Sequence, residues 1–141
     1  VWGIGTVVYW LEKVGAMEKI NRGRETKISL MAFIAKAFST ALRQYPKINS
    51  HYFEENPFEY VQYRDHNLTI AIDSVHGLAV PNIKACQEKS IREISEEITR
   101  LRRLANEGLL GSADLMEGTV SISNVGSIGG TYVAQGFFYP K

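Results

Sequence analysis

The chain of 141 residues contains one cysteine, Cys86. A lone thiol excludes an internal disulfide framework and a multi-thiolate zinc site, and it suits a reducing compartment. With no acid or base immediately beside it, Cys86 reads as a small, inert side chain. No run approaches the roughly 18 to 20 apolar residues that a membrane span needs. The apolar start, VWGIGTVVYW, lacks a leading basic region and an initiator methionine. It therefore reads as a strand rather than a signal peptide, and as the start of a processed or partly observed polypeptide. An excess of one charge is missing too, since 16 basic residues against 15 acidic ones leave a formal charge of +1. That balance gives no reason to expect nucleic acid or an anionic membrane as a partner.

What is present is ordinary for a globular domain, with 45% hydrophobic and 22% charged residues, so disorder is not expected. There are no internal repeats, low-complexity tracts or linkers, and residues 1–141 read as one domain. After the first strand, LEKVGAMEKI has weak helical character interrupted by Gly15, and the basic loop NRGRET follows. Ser29 then caps a clear helix over LMAFIAKAFSTALRQY. Its expected buried stripe is Leu30, Phe33, Ile34, Phe38, Ala41, Leu42 and Tyr45, and Pro46 ends it. EYVQYRD (59–65) and LTIAIDS (68–74) alternate like a pair of strands, the second with Leu68, Ile70 and Ile72 on one face. His76-Gly77 turns the chain into LAVPNIK, where Pro81 favours an edge or a strand end. Ser90 and Glu93 have capping-box spacing ahead of a second helix, with Ile91, Ile94, Ile98, Leu101 and Ala105 as its stripe and Gly108 as its stop. SADLM adds a short helical turn before a last strand. The order β-α-β-β-β-α-β predicts an α/β two-layer sandwich, with helices on one face of a mixed sheet.

Few residues announce chemistry. His51 sits in a polar loop, His66 at a strand boundary and His76 in a turn, none at a spacing that implies a pair or a metal site. Each reads first as a solvent-facing or capping histidine. Arg100, Arg102 and Arg103 read as a solvated helix face, with phosphate binding as the alternative. The aromatics of HYFEENPFEYVQY read as strand-core packing, with a groove as the alternative. The exception is GTVSISNVGSIGG (118–130). Val120 and Ile122 fall on one side of a strand, with Thr119, Ser121 and Ser123 on the other, and glycines follow at once. Either this is an edge strand entering a turn, or its polar groups face something other than water.

Taken in order, KISLMAFIAKA, YPKINS, HNLTIAIDSVHGLAVPNIK and SADLMEGTVSISNVGSIGGTY resemble the catalytic core of the dihydrolipoyl acyltransferases. These are the central components of the 2-oxo acid dehydrogenase complexes. The likeness runs from about Lys27 to Tyr132, and SNVGSIGGT is most similar to the branched-chain member. The resemblance implies the chloramphenicol acetyltransferase-like fold and acyl transfer from the thiol of a dihydrolipoyl arm to coenzyme A. The lipoyl group rides on a separate domain, and no metal takes part. It implies that Ser123, in the block Ser123-Asn124-Val125-Gly126, stabilises the oxyanion of the tetrahedral intermediate as the catalytic serine. By the same likeness Asn124 and Ser29 contact coenzyme A and Asp73 lines the same pocket. Ser29 as only an N-cap and Asp73 as only a turn former remain alternatives.

The departures are equally specific. The family's general base lies in an H-x-x-x-D-G motif near the C-terminus, and none of HYFEEN, HNLTIA or HGLAVP fits it. An arginine usual in the first helix is replaced by the surroundings of Val14 and Gly15. The expectation is an acyltransferase domain lacking its C-terminal third and inactive alone, with a non-catalytic scaffold of the same fold as the alternative. The resemblance further implies a homotrimer assembled into a cubic core of twenty-four subunits. Its partners would be the lipoyl domain, the decarboxylase and the dihydrolipoyl dehydrogenase. The compartment would be the mitochondrial matrix in a eukaryote and the cytoplasm in a bacterium.

Overall fold

A computed structural model describes residues 16–23, 27–53, 55–56 and 58–123. The expected first strand and the glycine-rich stretch after Ser123 lie outside them. The elements in chain order are α1 (Ala16–Asn21), α2 (Leu30–Gln44), a 3-10 turn (Pro46–Ile48), β1 (Ser50–Tyr52) and β2 (Tyr60–Gln62). They continue with β3 (Leu68–Ile70), β4 (Ile72–Ser74), β5 (Gly77–Ala79), β6 (Asn82–Ile83), α3 (Ile91–Glu107), α4 (Ser112–Leu115) and β7 (Val120–Ile122).

The two long helices begin and end for local reasons. Ser29 accepts a hydrogen bond from the Ala32 amide at 3.2 Å and opens α2. Ser90 and Glu93 form a reciprocal capping box on α3, and Gly108 closes it at φ +69°, a left-handed conformation that favours glycine. The α3 stripe is as expected, with Ile94, Ile98, Leu101 and Ala105 buried and Ile91 packed against them. The α2 stripe is fully buried only at Leu42. Ala32, Ala35, Ser39 and Leu42 are buried, whereas Phe33 and Phe38 are half-buried and Tyr45 is 61% exposed. Small side chains take the contact line because α2 lies directly against α3, where the Ser29 amide reaches Ser95 Oγ at 3.1 Å. The bulky residues flank that line.

Lys36 ties α2 to the turn before α3 by donating from Nζ to the carbonyls of Cys86, Gln87 and Lys89. Arg43 donates to the Gln87 carbonyl from the same helix at 2.8 Å. The described sheet has the order β6-β3-β7, antiparallel between β3 and β6 and parallel between β3 and β7. It is therefore mixed, as expected. Leu68, Ile70, Ile83 and the helix stripes share one core, with Val120 and Ile122 packed on it.

The expected pairing of 59–65 with 68–74 is replaced by a different one. Strand β2 pairs with β1, and β4 pairs with β5, each as a separate antiparallel hairpin. The aromatics of the first hairpin were expected in the core, but they are not there. Tyr52, Phe53, Phe58, Tyr60 and Tyr63 are all exposed, Phe58 by 92%. Tyr52 stacks on Tyr60 across the ladder at 5.2 Å and His51 meets Phe53 edge to face, so these rings pack on each other instead. No helix among the described residues is long and apolar enough to cross a membrane.

Gly118, just before β7, is held flush against β3. A Cβ there would lie 2.2 Å from Thr69 Oγ1. Gly118→Ala should therefore force β7 or Thr69 to move, at a cost of about 1 to 3 kcal/mol typical of overpacking. Urea unfolding checks this, the expected result being a lower midpoint with an unchanged m value. An unchanged midpoint would mean that Thr69 rotates away freely.

Candidate functional site

Strand β7 carries the polar stretch singled out in the sequence. Val120 and Ile122 are half-buried toward the core, while Ser121 and Ser123 are exposed on the opposite side. Leu68 is opposite Val120 and Ile70 opposite Ile122 in the parallel ladder, so Ser123 follows immediately beyond the last paired residue. Asp73 lies three residues beyond Ile70, in β4. Ser123 and Asp73 thus sit at the same end of the parallel pair, the carboxyl end, where α/β sheets commonly bind ligands. Asp73 is exposed and paired with Leu78 in the hairpin. It does not form the turn. Ser74 does, donating from Oγ to the Gly77 carbonyl at 2.7 Å and accepting from the His76 amide.

Ser29 lies apart from these two within the chain. Its amide bonds Ser95 on α3, whereas the β4–β5 hairpin meets Asn106 of the same helix through the Val75 amide. Those two positions are separated by about 16 Å of helix rise. The hydroxyl of Ser29 accepts from Ala32, so its capping role is realised. Asn124 lies outside the described residues.

The entry to β7 is clamped by a residue that no motif in the sequence marks. Asn67 donates its amide N–H to Thr119 Oγ1 at 3.2 Å and accepts from the Thr119 N–H on its carbonyl at 2.9 Å. Its side chain donates from Nδ2 to the Glu117 carbonyl at 2.8 Å and accepts on Oδ1 from the Ala85 amide at 2.9 Å. Glu117 and Ala85 are the two non-glycine residues with positive φ among those described, at +63° and +46°. Such backbone costs on the order of 1 to 3 kcal/mol each and persists only where its surroundings hold it. The one sign in the sequence was an asparagine immediately before a strand.

The model of the 2-oxoacid dehydrogenases acyltransferase catalytic domain matches residues 6–135. The chain belongs to this family. It is 39% identical over 125 residues to the lipoamide acyltransferase component of the branched-chain alpha-keto acid dehydrogenase complex of Caenorhabditis elegans, and 42% identical to that of Mus musculus. Each alignment covers 89% of this chain but only 28% and 26% of the relatives, so the chain spans about a quarter of their length. Among solved structures, a probable dihydrolipoamide acetyltransferase of Listeria monocytogenes superposes with a TM-score of 0.76 at 28% identity. That match covers 91% of this chain and 53% of the other. A truncated catalytic core of the 2-oxoacid dehydrogenase complex of Thermoplasma acidophilum gives 0.70 at 32% identity, covering 92% and 57%.

Within this acyltransferase domain the histidines part company. His51 and His76 are exposed, as expected, but His66 is buried, with Nδ1 2.9 Å from Ser39 Oγ. Its amide bonds Gln87 Oε1 and its carbonyl accepts from the Cys86 amide, so it is a packed core histidine rather than a solvent-facing one. Cys86 is fully buried beside it, and burial pushes its thiol pKa up. Two of the three arginines are paired, and Arg102 is exposed on the helix face. Arg100 bonds Glu97 and reaches Asp114 at 2.6 Å, fastening α4 to α3, and Arg103 pairs with Glu107. Asp114 is held below the usual carboxylate range, chiefly by that bond to Arg100. Among the described residues no three His, Cys, Asp or Glu side chains are grouped to hold a metal.

Burial, reinforced by the nearby Arg43 and Lys36 charges, lowers the pKa of His66, outweighing Asp65 and the Ser39 bond. A histidine kept neutral in the fold protonates first in the unfolded chain, near its ordinary value of about 6.5. Stability contributed by neutral His66 is therefore complete above that pH and falls as the pH drops toward the lower folded value. Urea titrations from pH 7.5 to 5 should show this decline, and His66→Gln should flatten it. An equal decline in that variant would assign the effect to other groups.

Proposed function

We propose that this chain supplies the serine side of an acyltransferase site that moves an acyl group from a dihydrolipoyl thioester to coenzyme A. The observation that carries this reading is the position of Ser123. It is an exposed hydroxyl at the carboxyl end of a strand fixed to β3, inside the Ser123-Asn124-Val125-Gly126 block. The attacking coenzyme A thiolate adds to the thioester carbonyl, and the carbonyl oxygen gains the negative charge. The Ser123 hydroxyl donates to that oxygen until the intermediate collapses and the dihydrolipoyl thiolate leaves. A preorganised donor of this kind is worth about 2.7 to 4 kcal/mol of the barrier. The proton of coenzyme A goes to a histidine of the H-x-x-x-D-G kind, which this sequence does not contain, so a second segment or subunit must bring it.

Asn124, Ser29 and Asp73 are the proposed contacts to coenzyme A. The roughly 16 Å of α3 between the neighbours of Ser29 and of Asp73 fits an extended cofactor, or one shared between subunits. Residues 1–141 are proposed as part of one catalytic domain. The branched-chain names of the Caenorhabditis elegans and Mus musculus relatives favour a branched-chain acyl group and the mitochondrial matrix. A trimer built into a cubic core, served by a lipoyl domain, a decarboxylase and a dihydrolipoyl dehydrogenase, completes the proposal. The exposed rings of the β1–β2 hairpin support a subunit contact, because an isolated two-stranded hairpin is marginal in water.

In the longest natural polypeptide containing this segment, Ser123→Ala should lower turnover by roughly 10² to 10³ with nearly unchanged Michaelis constants. Ser121→Ala, on the same strand face, should stay within a few-fold of wild type. Equal losses at both serines would make the polar strand structural only. No transfer by the wild type would favour the scaffold reading. Static light scattering of the same polypeptide should give a trimer or larger, and a stable monomer would remove the assembly.

A further inference from the structure

The geometry points to Asn67 as a positioning residue that sets where Ser123 stands, an inference that rests on the oxyanion role proposed for that serine. Strand β7 is short, with three residues in the ladder, and its pairing with β3 is parallel, slightly the weaker of the two arrangements. A one-residue slip along β3 would turn Ser123 from the exposed side to the core side. Something must fix the register where the strand begins, and Asn67 does so with all four of its polar groups. Its backbone pairs with Thr119 in both directions, through the Thr119 N–H and the Thr119 hydroxyl. Its side-chain amide spans the two strained residues, donating to the carbonyl of Glu117 and accepting from the N–H of Ala85.

The chemistry of that amide is specific. A carbonyl on one side requires a donor and an N–H on the other requires an acceptor, so the amide orientation is fixed by its partners. Aspartate keeps the acceptor for Ala85 but sets a carboxylate oxygen against the Glu117 carbonyl, and alanine keeps neither bond. The Glu117 backbone leads directly into Gly118, which is pressed on Thr69 and admits no side chain at that point. Without Asn67 the Glu117 carbonyl loses its donor, leaving the Lys84 pair on the Glu117 side chain and the Asn82 bond to Met116 to hold the approach to Gly118 and Thr119, which shift as Glu117 relaxes. Ser123 lies four residues beyond Thr119, about 13 Å along an extended strand. Asn67 therefore acts through the strand and touches no reacting atom. A donor displaced by about 1 Å can lose on the order of a hundredfold in rate.

The test is a double-mutant cycle in the full-length polypeptide, read as steady-state acyl transfer between dihydrolipoyl substrate and coenzyme A. Asn67→Ala is expected to lower kcat by about ten- to a hundredfold, with both Michaelis constants within about twofold. Placed on Ser123→Ala, the same change should cost nothing further, because the group it positions is gone. A role in stability alone predicts a lower melting temperature with kcat per folded molecule unchanged, and that result overturns the inference. Multiplying losses in the double variant also overturn it, while leaving the oxyanion role of Ser123 intact. A Ser123→Ala variant as active as wild type refutes that role and the positioning together. If Asn67→Ala does not fold, Asn67→Asp carries the same cycle with the same expected pattern. Failure of both to fold assigns Asn67 to the fold alone and rejects the proposal.

Discussion

Strand β3 is hydrogen-bonded along both edges, and the rest of the described structure is arranged around it. Leu68 and Ile70 put one face into the core beneath the helices, and Thr69 faces the other way against Gly118. On one edge β6 arrives through a nearby connection. On the other, β7 arrives only after the chain has passed through three further strands, α3 and α4. Bringing Val120 beside Leu68 closes a loop of about fifty residues, and such non-local pairings are slow to form and depend on what is already in place. The buried amides make the same point at each margin. Asn49 donates to the carbonyls of Tyr63 and Asp65, and Asn82 donates to those of Asp114 and Met116. Each stitches an irregular segment to a strand or helix end where ladder bonds stop.

Features encoded locally are legible in the sequence, and features set by distant contacts are not. Helix α3 is legible from Ser90 to Gly108 because a capping box, a stripe and a left-handed stop are all encoded within a few residues. The buried face of α2 is not legible that way. Leu42 is buried as expected, but close approach to α3 selects Ala32, Ala35 and Ser39 ahead of the bulkier residues, and that choice depends on a partner helix some sixty residues away. The pairing of 59–65 with 68–74 failed for a similar reason. Both segments alternate correctly, yet period alone does not say which strand a neighbour will choose. The single row Asn82, Thr69 and Ser121, built from three separate segments, appears only in the folded sheet.

The candidate site was legible in two different ways. Alternation alone placed Ser121 and Ser123 on the side of β7 away from the core. The chemistry assigned to Ser123 came from resemblance of an ordered set of blocks, which no periodicity could provide. Neither route marks Asn67, because its importance lies in joining Ala85 and Glu117, and neither is near it in sequence. The burial of His66 is equally illegible, since a histidine at a strand boundary carries no sign of the Ser39 hydroxyl that meets it. Strained backbone was the clue that local reading lacks.

The burial of Cys86 acquires a meaning once the proposed substrates are considered together. Coenzyme A and the dihydrolipoyl arm are both thiols, and the group passed between them is held as a thioester. Any accessible thiolate on the protein would be a third contestant for that acyl group and a trap for oxidised lipoyl arms through mixed disulfides. Cys86 is sealed under α2 with its pKa pushed upward, so it stays a thiol and stays out of reach. On the proposed chemistry, the one cysteine of this sequence would take no part in thioester exchange.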